Sequence, residues 1–336
     1  MAILAARDPG PVSAAARSRR GKLWPPATTI DPPPASISRP PSRSVRGFVH
    51  ATSRVAIATS TTAGAHDVDM PYLCAAIERR GLAAEAVVWD ADCDWSAFDL
   101  VLIRSTWDYP WRITEFAAWV DKVADQTRLA NSAEVVRWNL DKRYLRDLAQ
   151  ADVRVASTSY LEPGNEIALP AGDIVVKPVI SSGARNAARY RPHEHTEAFE
   201  HIRMLHDTGV TVMIQPYIPE IDLHGEHALV FFGGVFSHAI NKGPVLTASG
   251  IDNKRFPHPD LAKYEPTPDE VAAAAAALDA IGHPLAQVPY ARIDMVPGAD
   301  STPIIMEVEL VEPNLFLMWS EGAPDRFADV IAEYCT

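Results

Sequence analysis

The chain has 336 residues, of which 47% are hydrophobic, and it carries 43 acidic against 31 basic side chains. This length suffices for two or three domains of about 100–200 residues each, and no apolar run approaches the roughly 18 residues that a membrane-spanning helix needs. Three cysteines without a C-x-x-C spacing exclude a disulfide framework and a thiolate zinc site. We therefore expect a cytoplasmic protein without a membrane partner.

The first 54 residues differ from the rest in charge and composition. They hold nine basic and two acidic side chains, nine prolines and no apolar periodicity. Such a segment cannot bury enough apolar surface to offset the entropy of ordering, so we predict a disordered Pro/Ala/Arg-rich extension over residues 1–53. The seven net positive charges there leave −19 for the remaining chain. A body that acidic repels phosphate backbones, which argues against a nucleic-acid partner.

Strands and helices alternate at the start of the remaining chain, and this alternation predicts a parallel α/β domain. The apolar runs and helical patterns predict, in chain order, a strand at 55–60, a helix at 69–80, strands at 84–89 and 100–105, and a helix at 111–125. From about residue 135 the pattern changes to an antiparallel α+β body. Its predicted elements are a helix at 135–151, strands at 153–161 and 173–180, a helix at 194–208, strands at 211–218, 226–232 and 235–241, a helix at 269–282, strands at 289–296 and 303–311, and a helix at 324–334.

Polar side chains follow the first and third predicted strands, where ligands of open parallel sheets bind. Arg104 can pair bidentately with a substrate carboxylate, and Asp69 or Asp108 can pair with an ammonium group. Trp107 and Tyr109 are equally well explained as packing residues. These side chains suit a small amino-acid-like zwitterion.

Carboxylates cluster on the last two predicted strands. Side chains alternate across a strand, so Glu307 and Glu309 share one face, as do Arg292 and Asp294. Carboxylates gathered without a cation raise one another's pKa, whereas Mg²⁺ prefers such oxygen ligands. The pattern therefore favours a divalent-metal site over solvated carboxylates on an exposed strand.

Two lysines and a small-residue loop predict a phosphate site. Lys142 lies in a helix-like stretch, Lys177 ends a strand, and the loop 181–190, with Ser182 and Gly183, follows. Backbone N–H groups of such a loop can surround phosphate oxygens while a lysine supplies positive charge. Solvated lysines beside an ordinary loop are the alternative. The chain contains neither a P-loop motif nor G-x-G-x-x-G.

A third pattern is the linker Gln215, Pro216, Tyr217 and Ile218, which follows an apolar strand. The backbone N–H and C=O groups of such a linker can face an adenine edge, and a later acid, Glu226, can accept ribose hydroxyls. An ordinary strand and turn explains this pattern equally well when it is taken alone.

In their order along the chain, these residues resemble those of the ATP-grasp superfamily, which includes glutathione synthetase and D-alanine–D-alanine ligase. The resemblance covers about residues 55–336. It implies a pre-ATP-grasp α/β domain at 54–134, a central lid subdomain at 135–218, and a C-terminal subdomain with a metal site at 219–336. ATP would be enclosed between the two antiparallel sheets. The segments RSTWDY, VVKPVISSGARNAARY and EVELVEPNLFL are most similar to the sequences of a subgroup that includes the O-ureido-D-serine cyclo-ligase of cycloserine biosynthesis.

The resemblance also implies a role for each matching residue. The nucleotide would contact Lys142, Lys177, the backbone of Tyr217 and Ile218, and Glu226. The metal, two Mg²⁺ ions with Mn²⁺ as an alternative, would bind Asp294, Glu307 and Glu309, the last standing where many members have Asn. Arg292 would stabilise an oxyanion, Lys242 would bind a carboxylate or phosphate, and Asn314 would touch the substrate.

The implied activity is that of an ATP-dependent carboxylate–amine ligase that works through an acyl phosphate, with intramolecular ring closure as one form. A degenerate ATP-binding module and a phosphotransferase are the alternatives. The sequence leaves a homodimer open. Transfer of this kind depends on positioning and charge neutralisation, so the cations and carboxylates above form a sufficient set.

Overall fold

The structure is a computed structural model that describes residues 52–63, 66–253 and 260–335. The predicted extension over 1–53 lies outside these residues except for its last two. No helix in the described part of the chain is long and apolar enough to cross a membrane.

Three sheets follow one another along the chain, with helices packed on them. The strands are β1 (Arg54–Thr59), β2 (Ala83–Val88), β3 (Leu100–Ser105), β4 (Arg128–Ala130), β5 (Ser159–Leu161), β6 (Ile174–Pro178), β7 (Ala188–Tyr190), β8 (Val212–Pro216), β9 (Glu226–Phe232), β10 (Val235–Lys242), β11 (Leu261–Tyr264), β12 (Tyr290–Pro297) and β13 (Pro303–Glu309). The helices are α1 (Met70–Arg79), α2 (Ile113–Gln126), α3 (Ala133–Asn139), α4 (Tyr144–Gln150), α5 (His195–Asp207), α6 (Glu220–His224), α7 (Pro268–Asp279) and α8 (Ala323–Tyr334).

The first sheet is parallel, with strand order β2-β1-β3-β4. Every residue of β3 is buried, because helices cover both faces of such a sheet. Helix α2 packs on one face around Trp89 and Trp95, whereas α1 and α8 pack on the other around Phe327. The strand order reverses between β1 and β3, so the crevice at their carboxyl ends is the position where open α/β sheets bind ligands.

The other two sheets are antiparallel. The second has the order β5-β8-β6-β7 and packs against α5. The third has the order β11-β10-β9-β12-β13 and buries one face in a core that includes residues of α7. A parallel α/β domain followed by two antiparallel α+β parts is the predicted fold class, and it is confirmed.

Two predicted elements were wrong: the strand at 153–161 is limited to Ser159–Leu161, and the helix at 135–151 is divided. The stretch 135–151 is two helices rather than one, because the Asp141 carboxylate accepts the Arg143 N–H at 2.9 Å and the Lys142 N–H donates to the Val179 carbonyl at 2.9 Å. These bonds end the helical ladder. Strands β4, β7 and β11 and helix α6 were missed, since elements of three to five residues are too short to show periodicity.

A buried acid fixes the start of α7 and gives a test of stability. The Glu270 carboxylate accepts hydrogen bonds from the Thr267 N–H at 2.7 Å and the Tyr264 hydroxyl at 2.9 Å, and it contacts His227 Nδ1 at 2.5 Å. Burial alone would raise the pKa of Glu270, but the hydrogen bonds from His227, Thr267 and Tyr264 outweigh it and lower the pKa to about 2.

Because this pKa is lowered in the folded state, the contribution of Glu270 to stability is present above about pH 4.5 and is lost as the pH falls towards 2. We expect Glu270→Gln to reduce the free energy of unfolding at pH 7 by about 2–3 kcal/mol. The free energy of unfolding of this variant should also decrease less steeply as the pH falls below about 4.5. Urea unfolding between pH 3 and pH 7 measures both effects. The exposed Glu265→Gln is the control, and an equal loss in that variant would contradict the prediction.

Candidate active site

Strands β12 and β13 bring four of the predicted residues onto one face of the third sheet. Asp294 pairs with Glu307 and Arg292 pairs with Glu309 in the antiparallel register. The register shifts directly after Asp294, so that Met306 has no partner on β12. This bulge re-aims the strand: Ile305 stays in the core, while the two glutamates keep the polar face.

Arg292 is buried at the centre of this face. Its Nε and Nη2 atoms lie 2.8 and 2.9 Å from the two carboxylate oxygens of Asp294, Nη2 also contacts Glu309, and Nη1 donates to the Asn314 carbonyl at 3.1 Å. Burial alone would raise the pKa of Asp294, but Arg292 and Lys242 outweigh it and hold this pKa well below the usual range. The fork geometry fixes the guanidinium beside the polar face.

Lys242 joins the same network from β10. It lies opposite Glu226 in the register of β9 and β10, and its Nζ contacts Glu226 and, at 2.5 Å, Asp294. Burial alone would lower the pKa of Lys242, yet Asp294 and Glu226 raise it. The predicted ribose acid is therefore tied to a cation in this conformation.

Lys142 approaches the sheet from the segment between α3 and α4. Its Nζ lies 3.1 Å from Glu307 and donates to the Ser181 carbonyl at 2.8 Å. The segment is anchored on the edge strand β13, because the Asn139 amide and the Tyr144 hydroxyl both bond with the backbone of Val308. Burial would lower the pKa of Lys142, but Glu307 and neighbouring acids raise it.

Lys177, at the end of β6, differs from the other cations of the site. Its ammonium group forms no hydrogen bond or ion pair with any residue in the described part of the chain, although its backbone pairs with Met213 of β8. Burial lowers its pKa, and this effect, with Lys142 and Lys242 adding to it, exceeds the opposite effect of Glu307 and Glu226. Its side chain is only partly buried, and its ammonium has no carboxylate partner among the described residues, so Lys177 is a cation that an incoming anion can pair with directly.

The small-residue loop after β6 follows Lys177. Gly183 and Ala184 have φ angles of +64° and +56°, and consecutive N–H groups in such conformations form anion-binding concavities. Arg185 connects this loop to the first domain: its Nη1 donates to the Trp107 carbonyl at 3.2 Å, and its guanidinium stacks 4.6 Å from the ring of Trp111.

The predicted adenine linker is only partly available to a ligand in this conformation. The Tyr217 N–H donates to the Asp173 carbonyl at 2.9 Å and Gln215 Nε2 donates to the Thr158 hydroxyl at 2.8 Å, whereas Pro216 is exposed. The Ile218 N–H donates to no residue in the ranges that the structure covers. Of the two predicted backbone contacts, Ile218 therefore offers the free donor and Tyr217 does not.

The predicted substrate residues at the strand ends form a buried network. Arg104 Nη2 lies 3.6 Å from Asp67 and 3.5 Å from Asp69, while Nη1 donates to the Pro313 carbonyl at 2.7 Å. Asp69 also accepts the Leu317 N–H at 2.8 Å. The Nε and Nη2 atoms of Arg104 are buried and make no hydrogen bond within the described chain, although Nη2 remains within ion-pair distance of both aspartates.

Asp108 and Asn314 lie at the edges of the site. Asp108 accepts the Trp89 Nε1–H at 3.0 Å and faces Arg112 at 3.9 Å, which directs it into the first domain. Asn314 contributes its backbone carbonyl to Arg292, and its side chain is partly exposed. The structure thus joins the predicted nucleotide and metal residues closely, while Asp108 stands apart from them.

Sequence reasoning missed Glu312, which follows β13. Burial raises its pKa to about 7, with Glu307 adding to the shift and with Lys142 and Ser182 opposing it. Its carbonyl accepts the Trp107 Nε1–H at 3.2 Å. The only signal was its position three residues after Glu309, in an irregular segment where neither helical nor strand periodicity applies.

The fit of the site to a divalent metal rests on its donors. Among the described residues, no group of three Asp, Glu, His or Cys side chains is arranged to hold a metal ion. The carboxylates of the site pair instead with Lys142, Lys242 and Arg292. Mg²⁺ in nucleotide sites usually takes one or two carboxylates and completes its shell with phosphates and water. Burial, together with Glu307 and Asp294, raises the pKa of Glu309 to about 8 despite Arg292. A further cation would relieve the repulsion among these carboxylates, so the donor set fits.

Known proteins share this architecture. Residues 55–131 match the family described as D-cycloserine synthetase DcsG, N-terminal domain. The chain is 38% identical over 294 residues to the cycloserine biosynthesis protein DcsG of Streptomyces lavendulae, which covers 83% of this chain and 98% of that protein. A crystal structure of D-cycloserine synthetase DcsG superposes with a TM-score of 0.78 and 36% identity over 84% of this chain and 100% of that one.

A more distant structure shares the fold. D-alanine–D-alanine ligase from Bacillus anthracis, solved in complex with ATP, superposes with a TM-score of 0.63 at 14% identity over 84% of this chain and 97% of that one. The suspected resemblance to ATP-grasp proteins, and to the cycloserine subgroup, is confirmed. The chain belongs to the DcsG family of ATP-grasp proteins and is an ATP-dependent ligase.

Proposed function

We propose that the chain is a carboxylate–amine ligase that closes a ring within a small amino-acid-like substrate, as the name of its relative, a D-cycloserine synthetase, suggests. The observation that carries this proposal is the cluster of Lys142, Lys242 and Arg292 with four carboxylates on one face of the third sheet. Lys177, on β6, interacts electrostatically with two of these carboxylates. Such a set neutralises phosphate charge and contains no nucleophile or hydrolytic triad.

The first step is transfer of the γ-phosphoryl group of ATP to the substrate carboxylate, which gives an acyl phosphate and ADP. Lys142 and Lys177 hold the phosphate oxygens, and the loop at Ser182 and Gly183 adds backbone N–H donors. Asp294, Glu307 and Glu309 would hold Mg²⁺, two ions in this proposal, which would supply charge neutralisation at the phosphates.

The second step is attack of a substrate nitrogen on the acyl carbon. Arg292 lies beside the metal carboxylates, and its fixed guanidinium is placed to stabilise the oxyanion that forms there. The Arg104 network at the end of β3 orients the substrate, and its Nε and Nη2 groups, which make no hydrogen bond within the described chain, are the proposed donors to the substrate carboxyl group. Asp69 and Asp108 are the candidates for its amino group.

The test is a screen for ADP release with ATP, Mg²⁺ and a panel of L- and D-amino acids that includes O-ureido-D-serine. We expect one acid to release ADP and inorganic phosphate together with a cyclised product seen by mass spectrometry, and EDTA to abolish the release. A stable phosphorylated acid would indicate a phosphotransferase instead. ATP binding without release by any acid would indicate a degenerate binding module.

A further inference from the structure

The segment Glu312–Asn314 joins the two halves of the site. Its three carbonyls accept hydrogen bonds in turn: Glu312 from Trp107 Nε1 at 3.2 Å, Pro313 from Arg104 at 2.7 Å, and Asn314 from Arg292 at 3.1 Å. The first two donors belong to the predicted substrate side, and the third belongs to the predicted oxyanion position. The backbone of Glu312 is therefore fixed where an activated carboxyl group would meet the rest of the substrate.

The Glu312 side chain differs from the other carboxylates of the site. Asp294, Glu226, Glu307 and Glu309 each contact a lysine or arginine. Glu312, by contrast, has no ion-pair partner within 4 Å in the described chain, although it is partly buried.

Several groups from different elements interact electrostatically with the Glu312 carboxylate. They are Lys142 between α3 and α4, Ser182 and Arg185 in the loop after β6, Glu307 on β13, Tyr109 after β3, and Tyr290 on β12. The carboxylate thus interacts with groups of both the phosphate loop and the segment after β3.

We infer, on the basis of the proposed function, that Glu312 is a catalytic residue of the second step, in which it accepts a hydrogen bond from the attacking substrate nitrogen and takes its proton. The nitrogen lone pair forms the C–N bond to the acyl carbon. The acyl C–O bond to the phosphate breaks, and its electron pair leaves with inorganic phosphate. The N–H proton passes to the Glu312 carboxylate, so atoms and charges balance without a further reactant.

The other carboxylates are poorly suited to this task. Asp294, Glu307 and Glu309 are assigned to the metal, and Glu226 pairs with Lys242. A carboxylate whose oxygens already contact a cation has fewer lone pairs free to accept a substrate N–H. Burial raises the pKa of Glu312 to about 7 in spite of Lys142, and a base works best when its pKa lies near the operating pH.

The experiment separates the two steps with hydroxylamine, a strong nucleophile of low basicity that captures acyl phosphates as hydroxamates. Glu312→Gln is assayed with O-ureido-D-serine, ATP and Mg²⁺. With hydroxylamine, we expect ADP and hydroxamate formation within about threefold of the unmodified protein; without it, we expect the cyclised product to form about 10²–10⁴-fold more slowly. Glu321→Gln, which removes an exposed carboxylate farther along the chain, should leave both rates unchanged.

Two results would overturn the role of Glu312 in the second step. One is product formation by Glu312→Gln within about threefold of the unmodified protein, and the other is an equal loss of hydroxamate and product, which would place Glu312 in phosphoryl transfer. Thermal unfolding and ATP affinity establish that the variant is folded. If it is not, Glu312→Asp serves instead, since withdrawing the carboxylate by one methylene should slow ring closure while sparing the hydroxamate.

Failure of the proposed function has a different signature. In that case the unmodified protein itself forms neither ADP nor hydroxamate with any acid of the panel. The proposed role of Glu312 is then excluded as well, because no acyl phosphate forms for a nitrogen to attack.

Discussion

Replacing Glu307 with glutamine is expected to reduce Mg²⁺-dependent ADP release by about 10³-fold or more, because a metal at the phosphates supplies several kcal/mol of transition-state stabilisation. The change removes a charged oxygen ligand and also leaves Lys142 without its ion pair at 3.1 Å. ATP affinity measured without metal should change little in comparison. A coupled ADP assay over a range of Mg²⁺ concentrations, beside calorimetric ATP binding with EDTA, measures both effects.

Glu309→Asn is the matched control for this prediction. Many ATP-grasp proteins have Asn at this position, and an amide oxygen can still bind a hard cation. The pKa of Glu309 is raised to about 8 by burial and by its acidic neighbours, so the free protein loses little by giving up this charge. We expect activity within about tenfold of the unmodified protein. Equal activity in Glu307→Gln would show that the metal lies elsewhere.

The composition of the polar face could be predicted because it depends only on the period of a strand. Two-residue spacing puts Glu307 beside Glu309 and Arg292 beside Asp294 on any strand. The pairing between those strands depends on register, which sequence spacing does not reveal. In the structure the register places Asp294 opposite Glu307, directly before the bulge at Met306.

The ion pairs of the site were beyond prediction for a related reason. Lys242 meets Asp294 because β10, β9 and β12 are neighbours in the third sheet, although the two residues are 52 positions apart. Lys142 reaches Glu307 because a helix breaks at Asp141. Both pairings result from long-range packing, and neither leaves a periodic signal.

The path of the chain end also escaped prediction. Helix α8 was expected where it lies in the sequence, as part of the C-terminal subdomain. It packs there against β9 and β10, with the Phe327 ring stacked on Phe232, but it also packs against α1 and the parallel sheet. An amphipathic pattern identifies a buried face but does not identify the surface that covers it, so the first and last elements of the described chain meet without any local sequence cue.

Replacing Arg292 with leucine is expected to lower the free energy of unfolding by about 3–5 kcal/mol, because removal of one partner leaves buried charges uncompensated. Asp294 would lose two hydrogen bonds, at 2.8 and 2.9 Å, and Glu309 would lose its only cation pair in the described chain. Urea unfolding of the folded chain measures the change. Arg154→Leu is the control: that arginine pairs with Asp300 on the surface and should cost no more than about 1 kcal/mol.

The lysine variant separates stability from catalysis at Arg292. Lysine keeps the charge but cannot reproduce the planar fork that holds Asp294 bidentately, so Arg292→Lys should recover part of the lost stability. The turnover rate should nevertheless fall by about 10²–10³-fold, the usual effect of removing one oxyanion donor. Full turnover by a stable Arg292→Lys protein would show that Arg292 acts only as a structural counter-ion. The oxyanion would then need another donor, and the candidate is Lys242, which contacts Asp294.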